Sequence, residues 1–105
     1  MRRELRFTNE AAARLRALES DPSKKGVYPQ VLKTLGLLEI EPQHPGLNTH
    51  EYSSLRGAEG ERVWEACAQN PTPGAYRIFI HDGPDEGTTR KRIPILTIVT
   101  ITPHP

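Results

Sequence analysis

An arginine stands in mid-strand among apolar residues in Ala75-Tyr76-Arg77-Ile78-Phe79-Ile80. Alternation along that strand puts Tyr76, Ile78 and Ile80 on one face and Arg77 and Phe79 on the other. A guanidinium so placed needs a carboxylate, a phosphate or water beside it. Arg77 is therefore the first candidate for holding an anion; the structural alternative is an internal ion pair with Glu65 on the adjoining strand. Histidines supply groups that titrate near neutrality. His50 lies beside an acid in Asn48-Thr49-His50-Glu51, although a plain histidine at a strand start explains it equally. His81 and Asp82 are adjacent in a strand and so point to opposite faces. His104 is next to last in the sequence, where fraying is the ordinary alternative. Arg90-Lys91-Arg92 is a short basic run, suited either to nucleic acid or to plain solvation. Arginine can grip phosphate in a bidentate fork, and histidines or acids can move protons near neutrality, but any chain of this length can hold these types.

Other chemistries find no support. His44, His50, His81 and His104 are widely spread and Cys67 is the single cysteine, so neither a metal site nor an internal disulfide is expected. Cys67 reads as packing, and Trp64 and Tyr76 as core. No glycine-rich nucleotide loop and no cofactor motif is present. The net charge of +1 does not by itself argue for nucleic acid, but it is unevenly spread. Residues 1–40 hold eight Lys/Arg against five Asp/Glu, residues 41–75 hold two against five, and residues 76–105 hold four against three. No apolar run approaches membrane-spanning length, and Met-Arg-Arg-Glu-Leu-Arg is not followed by the apolar stretch of a signal peptide. The expectation is a cytoplasmic protein with no membrane association.

These side chains must be held by a lean core. The 105 residues suffice for one domain (1–105), with 35% hydrophobic residues and ten prolines. Leu5 to Thr8 can form a short strand. Thr8 or Asn9 then caps a helix with Ala11, Leu15 and Leu18 on its apolar face, and Asp21-Pro22-Ser23 ends it. A second helix is expected from about Lys24 to Glu39, with Val31, Leu35 and Leu38 on one stripe and Pro29 in its first turn. After Glu41 to Gly46 the apolar period changes from 3.6 to 2. Strands are expected near 50–56, 62–69, 75–82 and 93–102, with a hairpin turn at Gly57 to Gly60 and a polar loop at Asp82 to Gly87. Alternation in the last strand sets Ile93, Ile95, Val99 and Ile101 against Leu96, Ile98, Thr100 and Thr102. The class is α+β: a short N-terminal strand and a helical hairpin on an antiparallel sheet of three to four strands.

With Leu55-Arg56-Gly57, Tyr76-Arg77-Ile78-Phe79, the closing strand Ile95 to Ile101 and the hairpin around Val31-Leu32-Lys33, the chain resembles a divergent member of the RelE/ParE superfamily of bacterial toxins. The resemblance implies that fold and, in the ribonuclease branch, cleavage of messenger RNA, usually on the ribosome. A sister branch poisons DNA gyrase without cutting nucleic acid. Both imply a small cognate antitoxin as partner. By resemblance, Arg77 binds the scissile phosphate and Arg56 supplies a second cation. His104 is the general acid and Glu51, two residues out of register, the general base, with His50 beside it. Arg90, Lys91 and Arg92 would add RNA contacts. The chain departs from the family in its longer loop at Gln69 to Gly74, its lack of dense lysines and arginines, and Pro105 at its end.

Overall fold

Thr8 joins the first strand to the first helix and both to the sheet. Its hydroxyl oxygen accepts from the Ala11 N–H at 3.0 Å, which caps the helix, and its O–H donates to the Val99 carbonyl at 2.7 Å. In the computed structural model, which describes residues 2–69 and 74–103, the order is β1 (Glu4–Phe7), α1 (Asn9–Ser20), α2 (Val27–Ile40), β2 (His50–Arg56), β3 (Arg62–Cys67), β4 (Tyr76–Asp82), β5 (Glu86–Gly87), β6 (Arg92–Ile93) and β7 (Ile95–Pro103). The fold is α+β, with two helices and a mostly antiparallel sheet.

The helices follow the apolar stripes. Ala11 and Leu18 of α1 are buried, as are Val31, Thr34, Leu35 and Leu38 of α2. Tyr28 donates from its hydroxyl to Glu19 at 2.9 Å and ties one helix to the other. The second helix begins at Val27, later than Lys24. Residues Pro22–Lys24 form a separate 3₁₀ turn instead, because Asp21 accepts from both the N–H and the hydroxyl of Ser23.

The main sheet has five strands in the order β1-β7-β4-β3-β2, not three to four. The additional member is β1, which runs parallel to β7 with Glu4 opposite Ile95 and Phe7 opposite Ile98. The remaining neighbours are antiparallel. The polar loop after Asp82 folds into a small ribbon, β5 against β6. Gly87 permits it: its φ is +89°, and a Cβ there would collide with the Lys91 carbonyl.

Two irregularities shape the sheet. On β7, Thr100 faces Phe79 while Ile98 faces Ile80, so Val99 is an extra, bulged residue. Strict alternation in this strand is therefore lost. Leu96, Ile98 and Ile101 all enter the core beneath the helices with Ile78, Ile80 and Ala66, whereas Val99 is only partly buried. On β2, the chain advances five residues between Glu51 and Arg56 while β3 retreats two, from Trp64 to Arg62. The surplus arches over the far face of the sheet, where Tyr52 meets Phe79 edge to face at 4.9 Å.

Two outcomes are expected. Leu38 is fully buried in the core, so Leu38→Ala should cost about 2–5 kcal/mol in denaturant unfolding. Arg6 of β1 grips Glu86 of β5 through Nε (3.0 Å) and Nη2 (2.7 Å), and these hydrogen bonds hold the Glu86 carboxyl below the ordinary glutamate range. A depressed carboxylate stabilises the fold above its unfolded pKa, about 4.3, and loses that contribution as pH falls through its folded value. The melting difference between wild type and Glu86→Gln should accordingly be largest near neutrality and shrink in acid.

Candidate functional site

The same registers assemble a polar cluster on the sheet face away from the helices. Glu65 on β3 lies opposite His50 on β2 and Phe79 on β4. Arg77 on β4 lies opposite Cys67 on β3 and Thr102 on β7. Glu65 is fully buried, and Arg77 is 6% exposed. One carboxylate oxygen sits between two nitrogen partners: Glu65 Oε1 is 2.7 Å from His50 Nε2 and 3.8 Å from Arg77 Nε. The internal pair between Arg77 and Glu65 is thus present, and His50 joins it from the outside with a side chain 57% exposed.

His50 is oriented from its other side. Its Nδ1 lies 3.0 Å from the Asn48 carbonyl, which can only accept, so Nδ1 carries the hydrogen. Nε2 is the nitrogen that faces the Glu65 carboxylate. Asn48 presents that carbonyl from a left-handed backbone (φ 46°, ψ 45°) at the end of the 3₁₀ turn Pro45–Leu47. Asparagine tolerates this conformation better than most residues.

Arg77 Nε and Nη1 are buried and have no hydrogen-bond partner among the described residues, although Nε is ion-paired with Glu65, and Thr100 Oγ1 likewise has no such partner. Thr100 faces Phe79 across β7 and β4, two residues along from the Arg77–Thr102 pair and on the same face. Buried guanidinium donors left unmatched are costly, and an oxyanion satisfies them well. The anion held there is the Glu65 carboxylate itself; a further anion reaches Arg77 Nε and Nη1 only if the covering chain moves, because both atoms are shut from solvent.

The other expected residues are scattered. Glu51 follows His50 on β2 and so points to the opposite face. There Arg62 grips it through Nε (2.9 Å) and Nη2 (2.6 Å), which holds its carboxyl below the usual range. It is not brought to Arg77. Arg56 faces Arg62 at the end of the hairpin. Arg90, Lys91 and Arg92 lie in and beside the β5–β6 ribbon, and Lys91 and Arg92 line a hollow with Arg2 and Arg6 at the β1 edge. His50 is on β2, at the opposite edge. His104 lies outside the described residues. His81 is buried, its Nδ1 3.0 Å from the Asp82 carbonyl. His44 accepts from the Gly46 N–H at 2.9 Å and serves as a cap. Among the described residues, no group of three or more His, Cys, Asp and Glu is placed to hold a metal ion.

Sequence reasoning missed Glu65 as the partner of His50, and it missed Thr100 and Asn48. The signal for Glu65 was available: a charge in mid-strand, in Val63-Trp64-Glu65-Ala66, poses the same problem as Arg77.

Because the Glu65–Arg77 pair is buried, removing one charge strands the other. Glu65→Gln and Arg77→Met should each destabilise by about 3–5 kcal/mol, and the double variant Glu65→Gln/Arg77→Met by less than their sum. Urea unfolding of the four proteins measures this; strict additivity would show that the pair is not coupled. Compared with family models, with curated proteins and with solved structures, the chain finds no match in any of the three.

Proposed function

We propose that the chain is an RNA-cleaving, toxin-like domain of the RelE/ParE type, held in check by a small antitoxin protein and acting in the cytoplasm on free or ribosome-bound message. The observation that carries this reading is the buried Arg77 guanidinium beside the His50–Glu65 pair, with Nε and Nη1 lacking a hydrogen bond among the described residues. The order strand, helix, helix and then antiparallel strands, with the first strand laid on the last, fits the same reading.

In this mechanism the chain covering Arg77 shifts, the scissile phosphate takes the Nη1 donor, and Thr100 adds a hydroxyl; these atoms are shut from solvent in the resting fold. The ribose 2′-hydroxyl displaces Glu65 Oε1 from His50 Nε2, which accepts its proton, and the neighbouring Glu65 carboxylate stabilises the imidazolium that forms. The 2′-oxygen attacks phosphorus to give a 2′,3′-cyclic phosphate. The 5′-oxygen leaves with a proton from an acid, a role the family resemblance gives to His104. Glu51, on the other face and held by Arg62, cedes the base role to His50.

A second reading, a non-catalytic domain that acts by protein binding on gyrase or a regulatory partner, draws on a different observation. Leu32 (43% exposed) and Ile40 (64%) leave apolar surface on α2, and Phe7 does so on β1.

Induced expression in a bacterial host, beside RNA cleavage with and without ribosomes, separates the two. Arg77→Ala should lower cleavage about 10²–10³-fold, and His50→Gln about 10²–10⁴-fold. His50 is the cleaner variant, since its side chain is largely exposed and its loss unpacks little. Growth arrest without cleavage would transfer the function to the binding reading. Neither arrest nor cleavage by the wild type would end the nuclease reading.

A further inference from the structure

A cavity of about 470 Å³ opens on the helix side of the sheet, between β3, β4, β7 and the segment joining α2 to β2. Its volume is in the range of small-ligand sites. Trp64, Ile80 and Leu96 provide apolar lining, and Trp64 and Ile80 are direct cross-strand partners. The indole is held in place from elsewhere: the Arg62 guanidinium lies 5.6 Å from its ring centroid and is itself gripped by Glu51. Gln43, Asn48 and Thr49 line the cavity with neutral groups that both donate and accept hydrogen bonds. Two charged groups in the lining, Arg3 and Asp82, are paired with each other, so the cavity offers no spare charge from them.

A flat platform with neutral donors and acceptors around it, and charges already matched, suits an uncharged heteroaromatic ring rather than a phosphate. We propose that this cavity takes one nucleobase of single-stranded RNA, stacked against Trp64 and hydrogen-bonded by Gln43, Asn48 and Thr49. The proposal deepens the nuclease reading and rests on it for the identity of the strand. The link between the two sites is Asn48. It lines the cavity, and its carbonyl orients His50, two residues on. A base seated on Trp64 therefore bears on the residue that aims the histidine.

Trp64 is the only tryptophan, so its fluorescence reports this cavity directly. The full chain would be titrated with adenosine, guanosine, cytidine and uridine 5′-monophosphates, and with ribose 5-phosphate as a ligand without a base. At least one nucleotide should quench saturably with a Kd at or below about 1 mM, as a stacked base with two or three hydrogen bonds allows. Ribose 5-phosphate should not quench. Gln43→Ala/Thr49→Ala should weaken that nucleotide about tenfold at an unchanged melting temperature. Absence of saturable quenching by all four nucleotides, or equal quenching by ribose 5-phosphate, would overturn the proposal. Base-dependent quenching in a protein that cuts no RNA upholds the cavity and sinks the nuclease reading. Cleavage without quenching does the reverse.

Discussion

The bulge at Val99 decides what each face of the sheet contains. β7 lies between β1 and β4, and its apolar run from Ile95 to Ile101 feeds both faces. Inserting one residue at Val99 keeps Leu96, Ile98 and Ile101 together beneath the helices. It also turns Thr100 to the face that carries Arg77. Without it, Ile101 would share a face with Ile95 and Thr97, and Thr100 would be pressed into the core. The bulge is fixed from outside the sheet, because the freed Val99 carbonyl accepts from Thr8. Thr8 also caps α1, so one hydroxyl sets the position of the helix relative to the strand whose phase it helps to maintain.

The second face is organised by charge instead. A two-layer fold with helices on one side ordinarily leaves the other side of its sheet wet. Here Val63, Glu65, Arg77, Phe79 and His81 are buried on that side, although no helix among the described residues covers them. The arch of β2 supplies part of the cover, through Tyr52 on Phe79 and through the hairpin turn. A Cβ on Gly57 would stand only 2.9 Å from the His81 ring. Within this cover the electrostatics are graded. Glu65 sits deepest, Arg77 beside it, and His50 reaches it from solvent. A carboxylate placed there costs desolvation that only close cations offset. That is why the cluster is confined to the three strands β2, β3 and β4.

Much of this was legible in the residues. The change of apolar period after the second helix separated helices from strands, Thr8 and Asp21 marked caps, and the glycines at 57 and 60 marked the hairpin. Arg77 was legible as a misfit of type, a charge where alternation demanded an apolar or solvated side chain. What stayed hidden was pairing. β1 finds β7 across the whole chain, and nothing local announces so distant a partner. The bulge was hidden because Ile95 to Ile101 is apolar on both faces, so a slipped phase leaves no polar residue out of place. The His50–Glu65 contact depends on the β2–β3 register. That register depends on an arch spelled Tyr-Ser-Ser-Leu, which looks like ordinary strand.

The β2 arch has a consequence for the company the protein keeps. β2 is an outer strand of the five, and an outer strand exposes backbone groups on which another chain can build. A continuous seven-residue edge would be a template for further strands. The three surplus residues break that edge into two short pieces out of phase with each other. No single extended segment can match both at once. At the other margin, β1 has only four residues and carries the clamp of Arg6 on Glu86. The same departures from regularity that bury Glu65 and aim His50 also keep the sheet from growing.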